Sequence, residues 1–319
     1  TGGGFVMLNR GKRAIEIDLR EEGAAKRLLD LAPTIDIVLE QFRPGVMARL
    51  GLGYEAWRGR NPRIVYCAIT GYGQDGPRAQ EAGHDMNYAA RAGLLGLATG
   101  ADGTPGINPA LIGDIGGGTY PAVVNLLLAL RRRDRTGEGC FIDVAMTDNL
   151  YTFLFWGLAM GHGTGEWPRA GAEQLTGGSP RYRIYRTADG RHLAVAPLED
   201  KFWHAFCDIA GVAGPLRDDA RDPAATIAEV ARRVAARDAA WWEEALAGKD
   251  TCCTVVRTLE EAVRDLHFKA RGIFGRQVTI PGHVLPALPV PVVPALRGAA
   301  ASAAAPRVGQ DNGDILGRP

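Results

Sequence analysis

The sequence lacks the patterns that mark membrane, secreted and metal-binding proteins. Its longest apolar run, residues 122–130, is interrupted by Asn125 and is too short for a membrane span. No signal-peptide pattern opens the chain, and its five cysteines form no C-x-x-C pair, so we expect reduced thiols in a cytoplasmic protein. The histidines show no metal-ligand spacing, so no metal site is expected.

An excess of charge of either sign is also missing. The chain has 37 lysines and arginines against 36 aspartates and glutamates, so no global field favours nucleic acid or a membrane surface. An anionic partner would have to be bound by a local cluster of cations. Such cations are either solvated surface groups or ligands of a phosphorylated nucleotide. The candidates in the N-terminal half are Arg10, Lys12, Arg13, Arg20, Arg43 and Arg49.

The first half of the chain alternates between strand and helix patterns. Since 319 residues exceed one comfortable core, two domains are expected. Short apolar or alternating runs predict strands at 14–18, 35–39, 63–69 and 141–145. Helices are predicted at 21–31 and 54–60, with a buried helix at 121–133. This order predicts an α/β fold with a Rossmann-like parallel sheet.

The pattern changes at about residue 180. Strands at 181–187 and 192–197 flank Ala188, Asp189 and Gly190, which is typical of a hairpin. Helices are predicted at 201–210, at 225–246 with a break near Arg237, and at 259–271, and the proline-rich residues 281–306 predict an extended strap. We therefore expect a large α/β domain (1–155), a linker (156–179), a small α+β domain (180–275) and a strap (276–319) that returns to the large domain.

Two short motifs combine glycine with groups that can transfer protons. In GHDMNY (83–88), Asp85 could simply cap a helix, but His84 would lie at the helix start, where the positive end of the helix dipole favours the neutral imidazole that a base requires. In DIGGG (114–118), Asp114 precedes three glycines, which either let the backbone approach a ligand or allow tight helix packing. Neither motif is a dinucleotide fingerprint or a P-loop.

Asp148 is a third candidate, because it follows a predicted strand. Its carboxylate could attack a thioester and form an anhydride, or it could cap the next helix. Nearby apolar side chains could line an acyl pocket, although core packing is the better interpretation. They are Met146, Phe155, Trp156 and Met160.

Several longer strings resemble class III CoA-transferases of the CaiB/BaiF type, nearly from end to end. They are NRGKR (9–13), EQFRPGV (40–46), RLGLGY (49–54), NPRIVYC (61–67), GYGQDGP (71–77), TGEG (136–139) and VGQDNGDIL (308–316). Within that family the two proton-transfer motifs are most similar to those of α-methylacyl-CoA racemases. Family members normally open with a further segment that holds the first strand, the first helix and an adenine-side arginine, and this sequence does not contain it.

The racemase resemblance implies roles for individual residues. His84 and Asp114 match the two catalytic bases, and Glu199, in APLE (196–199), matches the acidic partner of the histidine. The implied CoA contacts are Ile17, Asp18, Leu19, Arg20, Gln41, Phe42, Arg43, Arg49, Gly83, Asp85, Met86, Asn87 and Tyr88, to which the cation cluster adds Arg10 and Arg13.

The resemblance also implies a reaction and its rival. In a racemase, His84 and Asp114 would face opposite sides of a thioester α-carbon, with no cofactor beyond the CoA of the substrate. In a CoA-transferase, Asp148 would form an aspartyl-CoA thioester instead. Family members form interlocked homodimers, so the expected partners are an acyl-CoA substrate and a second copy of the chain, without nucleic acid or membrane.

Overall fold

A computed structural model describes residues 2–98, 103–298 and 302–317. The chain divides into two compact units, one of Thr1–Leu31 with Arg257–Pro319 and one of Ala32–Val256. The domain boundaries expected from the sequence stay a prediction.

Helices and short strands alternate along the described chain. The helices are α1 (Gly3–Leu8), α2 (Ala24–Leu29), α3 (Val46–Arg49), α4 (Tyr54–Arg60), α5 (Asp85–Arg91), α6 (Tyr120–Thr136), α7 (Met146–Leu150), α8 (Phe155–Thr164), α9 (Asp200–Ala210), α10 (Pro223–Ala235), α11 (Ala239–Leu246), α12 (Leu259–Arg264), α13 (Leu266–Ala270) and α14 (Asn312–Ile315). The strands are β1 (Ile37–Glu40), β2 (Val65–Thr70), β3 (Cys140–Ala145), β4 (Arg183–Arg186), β5 (His192–Val195), β6 (Cys253–Val255), β7 (Gln277–Ile280), β8 (His283–Pro286) and β9 (Ser302–Ala304).

A parallel sheet in the order β1-β2-β3 lies in the second unit. Its central strand is apolar and buried, as a strand covered on both faces should be, with Val65, Cys67 and Ala68 fully inaccessible. The predicted parallel sheet is confirmed. The Rossmann-like layout and the interlocked dimer stay predictions.

The prediction for α6 was correct for the helix and wrong for its burial. Only Ala122 and Ala129 are buried on this helix. Its apolar side chains at helical spacing are between 48% and 62% exposed, so the helix carries an exposed apolar stripe. The stripe consists of Tyr120, Val123, Val124, Leu127 and Leu128.

The predicted hairpin is confirmed in the second unit. Strands β4 and β5 pair antiparallel, and β6 adds to the other side of β5. The amphipathic helices α9, α10 and α11 supply a core built around Trp203, Phe206 and Trp242, each at most 1% exposed. Such large aromatic side chains contribute most of the apolar burial in a small core.

In the first unit two predictions were wrong. The proline-rich segment contributes β8 and β9, which flank β7 in a three-stranded sheet, so it is more than a strap. Residues 14–18 form no strand, because side chains replace the expected strand neighbour. The N–H of Ala14 donates to Asp311 Oδ2 at 2.7 Å, and that of Glu16 donates to Asn312 Oδ1 at 2.8 Å.

Candidate active site

The carboxyl ends of the three parallel strands open into one cavity of about 740 Å³. Residues that follow β1, β2 and β3 all contribute to its wall, which is the position where ligands bind in open α/β sheets. The cavity is lined by Gln41, Phe42, Arg43, Pro44, Ile69, Thr70, Gly71, Ala79, Glu81, Ala82, Gly83, His84, Asn87, Tyr88, Asp114, Thr119 and Met146.

His84 lies at the cavity wall as the N-cap residue of α5. Its backbone N–H donates to Asn87 Oδ1 at 3.0 Å, so the asparagine of the motif holds the helix start. Asp85 is the first helical residue rather than the cap, so the capping interpretation of Asp85 was wrong. Its side chain is buried, at 7% exposure.

Tyr88 fixes the glycine that precedes the histidine. Its hydroxyl donates to the Gly83 carbonyl oxygen at 2.6 Å. A Cβ on Gly83 would lie 2.7 Å from the Tyr88 ring, and a Cβ on Gly71 would lie 2.5 Å from it. Both positions therefore require glycine, because the tyrosine ring fills the space that a side chain would occupy.

Asp114 reaches the same cavity from an eight-residue π-helix, Ile112–Thr119. The element follows Leu111, whose φ of 47° is unusual for a residue other than glycine. The backbone N–H of Asp114 donates to Asp85 Oδ1 at 2.9 Å. Partial desolvation raises the pKa of the Asp114 carboxyl group although the residue is exposed, and the Asp85 charge raises it further, while His84 opposes the shift.

The glycine run at residues 116–118 allows tight helix packing, which is one of the two interpretations that the sequence offered. Gly117 lies against α7, where an added Cβ would be 2.2 Å from the Met146 carbonyl oxygen. Asn149 Nδ2 also donates to the Gly117 carbonyl oxygen at 2.9 Å. The run brings the π-helix close to Met146, which lines the cavity. Met146 also packs against the core cluster around Tyr88 and Leu150, so both interpretations hold for it. Core packing was the wrong interpretation for Phe155, which is 70% exposed.

The loop after β1 presents Gln41, Phe42 and Arg43 to the cavity. Glu40, which the sequence reasoning did not single out, fixes this loop by accepting the Phe42 N–H on Oε2 at 2.7 Å. Burial raises the pKa of Glu40. Within the part of the chain that the structure describes, the Arg43 guanidinium forms no hydrogen bond or ion pair, so it is available to an anion.

Asp148 lies in α7 and lines a different cavity, of about 360 Å³, with Tyr72, Asp75, Arg78 and Arg91. Burial and the charges of Asp143 and Asp75 raise its pKa. The structure therefore places His84 and Asp114 in one cavity and Asp148 in another.

The remaining candidates lie outside the larger cavity. Glu199 caps α9 through its backbone carbonyl, which accepts the N–H groups of Phe202 and Trp203. Its exposed carboxylate has no partner among the described residues. Arg49 and Met86 are exposed and do not line the cavity.

The N-terminal candidates belong to the first unit. Arg10 lines a cavity of that unit, of about 480 Å³, together with Arg276. Arg13 pairs with Asp311 and Asp314, and Arg20 pairs with Asp18 at 2.7 Å. Ile17 and Leu19 lie in the same segment. Their roles in CoA binding stay predictions.

Among the described residues no group of three or more histidine, cysteine, aspartate or glutamate side chains could hold a metal ion. None of the described helices has the length and apolar character of a membrane span.

Comparison with curated proteins gives relatives of two activities. The chain is 35% identical over 274 residues to the α-methylacyl-CoA racemase of Homo sapiens, an alignment that covers 84% of this chain and 71% of that protein. It is 32% identical to the α-methylacyl-CoA racemase of Mus musculus, covering 99% and 82%. A succinate–glutarate CoA-transferase of Agrobacterium fabrum is 30% identical, covering 98% and 79%.

Solved structures agree on the fold. A CAIB/BAIF family protein from Brucella suis superposes with a TM-score of 0.80 at 26% identity, covering 98% of this chain and 82% of that one. The Rv3272 protein of Mycobacterium tuberculosis gives the same TM-score at 27% identity, covering 96% and 83%. The family model described as CoA-transferase family III matches residues 1–312. The mixed α/β chain with its parallel sheet therefore belongs to CoA-transferase family III.

Proposed function

We propose that this chain is a racemase that interconverts the (R) and (S) forms of 2-methylacyl-CoA thioesters. The observation that carries the proposal is the convergence of His84 and Asp114 on one cavity at the carboxyl ends of the parallel strands. Racemisation requires a group that removes the α-proton from one face and a group that returns a proton to the other. An imidazole and a carboxyl group that share one site can meet this requirement.

The protonation states support the pairing. The active pair holds one proton at the start of each turnover. The proton is on Asp114 when His84 acts as the base, and on His84 when Asp114 acts as the base. Because partial burial and Asp85 raise the pKa of Asp114, a larger fraction of its carboxyl groups holds a proton at a given pH than in an ordinary surface aspartate. Glu199 is proposed to accept a hydrogen bond from His84 and to stabilise the imidazolium, with the second copy of the chain as the source of that carboxylate.

The chain also offers groups that recognise the rest of the substrate. Arg43 is the proposed contact for a CoA phosphate, supported by a guanidinium at the cavity wall that has no hydrogen-bond or ion-pair partner among the described residues. Backbone amides near the glycine run and at the start of α5 are the proposed donors to the enolate oxygen. This chemistry requires no cofactor beyond the CoA moiety.

CoA transfer through Asp148 is the competing function, and a transferase among the relatives is consistent with it. One observation favours the racemase. Asp148 lies outside the cavity that holds His84 and Asp114.

A homodimer is proposed as the working form. The exposed apolar stripe of α6 supports it, since soluble monomers rarely expose a contiguous apolar face of this kind. Mass measurement by light scattering tests it, and a monomer at micromolar concentration would contradict it. A cytoplasmic location and the absence of a nucleic-acid partner stay predictions.

Incubation of (R)- and (S)-2-methylacyl-CoA in deuterated water tests the reaction, with the α-position followed by NMR. We expect deuterium incorporation and loss of optical purity from both enantiomers. His84→Gln and Asp114→Asn should each reduce the rate on the order of 10²–10⁴-fold. Asp148→Asn is the matched control and should retain exchange. Two results together would establish the transferase instead. Asp148→Asn would lose activity, and His84→Gln would still transfer CoA to free carboxylates.

A further inference from the structure

Asp85 connects the two motifs of the cavity. It follows His84 directly, at the first position of α5, and its Oδ1 accepts the backbone N–H of Asp114 at 2.9 Å. The two residues are 29 positions apart in sequence. One side chain therefore joins the backbone segments that carry both proposed bases.

The contact is tight on the side of the second motif. A Cβ at Gly113 would lie 3.1 Å from Asp85 Oδ1 and 3.2 Å from the Asp85 carbonyl oxygen. Gly113 itself is buried against Asp85. The absence of a side chain at Gly113 lets the Asp114 amide reach the carboxylate at hydrogen-bonding distance.

Burial makes this carboxylate unusual. Asp85 is 7% exposed, and buried carboxyl groups are costly unless hydrogen bonds or charges compensate them. Among the described residues it forms no ion pair with lysine or arginine. Its charge therefore acts on its neighbours instead of being neutralised by a cation.

We propose that Asp85 is a positioning residue of the active site, which orients Asp114 against His84 through the Asp114 backbone amide. This inference rests on the proposed racemase function and extends it. The Asp85 side chain does not line the cavity. It acts through Asp114.

If Asp85 only held the backbone in place, removal of its charge would leave the titration of Asp114 unchanged. The titration of Asp114 therefore distinguishes a purely structural role of Asp85 from a role in setting the protonation of Asp114. The titratable and charged groups around Asp114 are His84, Asp85 and Tyr88 from α5, Arg43 from the loop after β1 and Glu81 from the cavity wall. Of these, Asp85 raises the pKa of Asp114 and His84 lowers it. The active pair holds a single proton in both directions. At low pH both His84 and Asp114 are protonated, so neither can act as the base, and kcat/KM for both enantiomers should fall.

Asp85→Asn separates geometry from charge, because the amide oxygen can still accept the Asp114 N–H. We expect the acid limb of kcat/KM to move to lower pH, because the charge that raises the pKa of Asp114 is removed. Asp85→Ala also loses the acceptor and should lower kcat on the order of tenfold or more. Asp250→Asn, which removes one exposed charge from the same unit, is the control and should leave the limb in place.

A readout without activity keeps this test separate from the test of the racemase. The carboxyl carbon of Asp114, assigned by comparison with Asp114→Asn, should titrate at lower pH in Asp85→Asn than in the wild type. In the wild type the Asp114 amide should exchange its hydrogen slowly, although the residue is exposed, because it donates to Asp85. This measurement uses only the wild-type protein and so does not depend on the folding of a variant. An unchanged titration or a freely exchanging amide would overturn the role of Asp85. Absence of α-proton exchange in the wild type would instead overturn the proposed function.

Discussion

The hydroxyl of Tyr88 donates a 2.6 Å hydrogen bond to the carbonyl oxygen of Gly83, the residue immediately before His84. Tyr88→Phe removes this bond and leaves the ring in place. We expect kcat to fall on the order of tenfold with little change in KM, because His84 loses a fixed backbone, and stability to fall by about 1 kcal/mol. Steady-state kinetics and urea unfolding measure both effects. Tyr182→Phe, at an exposed tyrosine, is the control, and an unchanged kcat in Tyr88→Phe would show that the bond is irrelevant to the histidine.

Arg43 and Arg49 are both predicted CoA contacts, but only Arg43 lines the cavity. Arg43→Ala should raise KM for acyl-CoA on the order of tenfold, since a charge-assisted contact to a phosphate is lost. Arg49→Ala should have the smaller effect. Comparison of the two KM values at low and high salt checks the assignment, and equal effects would contradict it.

Gly117 should tolerate no side chain. In Gly117→Ala the new Cβ would meet the Met146 carbonyl, so the free energy of unfolding should fall by about 1–3 kcal/mol. Gly59→Ala in α4 is the matched control, because among the described residues no atom outside the adjacent residues and the local helix backbone lies within 4 Å of its added Cβ. That variant should gain about 0.5–1 kcal/mol from helix propensity. Denaturant unfolding distinguishes them, and equal stabilities would refute the packing argument.

Glu229 gives a pH dependence of stability. Hydrogen bonds from Arg232 and Arg233 lower its pKa from the model-compound value of 4.5 to about 2 in the folded chain. The folded state thus holds the proton less tightly than the unfolded state, so the contribution is complete above pH 4.5 and is lost as pH falls towards about 2. Glu229→Gln should make the melting temperature depend less on pH between 4.5 and about 2. Glu138→Gln, at an exposed glutamate, is the control. Parallel curves for Glu229→Gln and the wild type would exclude the contribution.

Local sequence patterns predicted the elements whose determinants are local. Helix α4 begins and ends as predicted, and the hairpin β4–β5 forms around Asp189 and Gly190. The motif GHDMNY identified His84 at a helix start because capping depends on adjacent residues.

Contacts between residues that are distant in the sequence could not be predicted from local sequence patterns. The alternation at residues 14–18 is equally compatible with a strand and with an extended segment bound by Asp311 and Asn312. The burial of α6 depends on what covers its stripe, which its own sequence does not encode. The hydrogen bond between Asp114 and Asp85 requires knowledge of the fold, since neither motif contains both partners.

The parallel ladder supplies only the rim of the cavity, and most of the wall comes from loops that follow the strands or precede α5. Loop residues can change without breaking a ladder hydrogen bond. Evolution can therefore alter the reaction and keep the scaffold, which accounts for relatives that isomerise a thioester and relatives that exchange its CoA. For the proposed racemase, the same separation predicts that replacement of a loop alone changes which acyl group the cavity accepts and leaves the sheet intact.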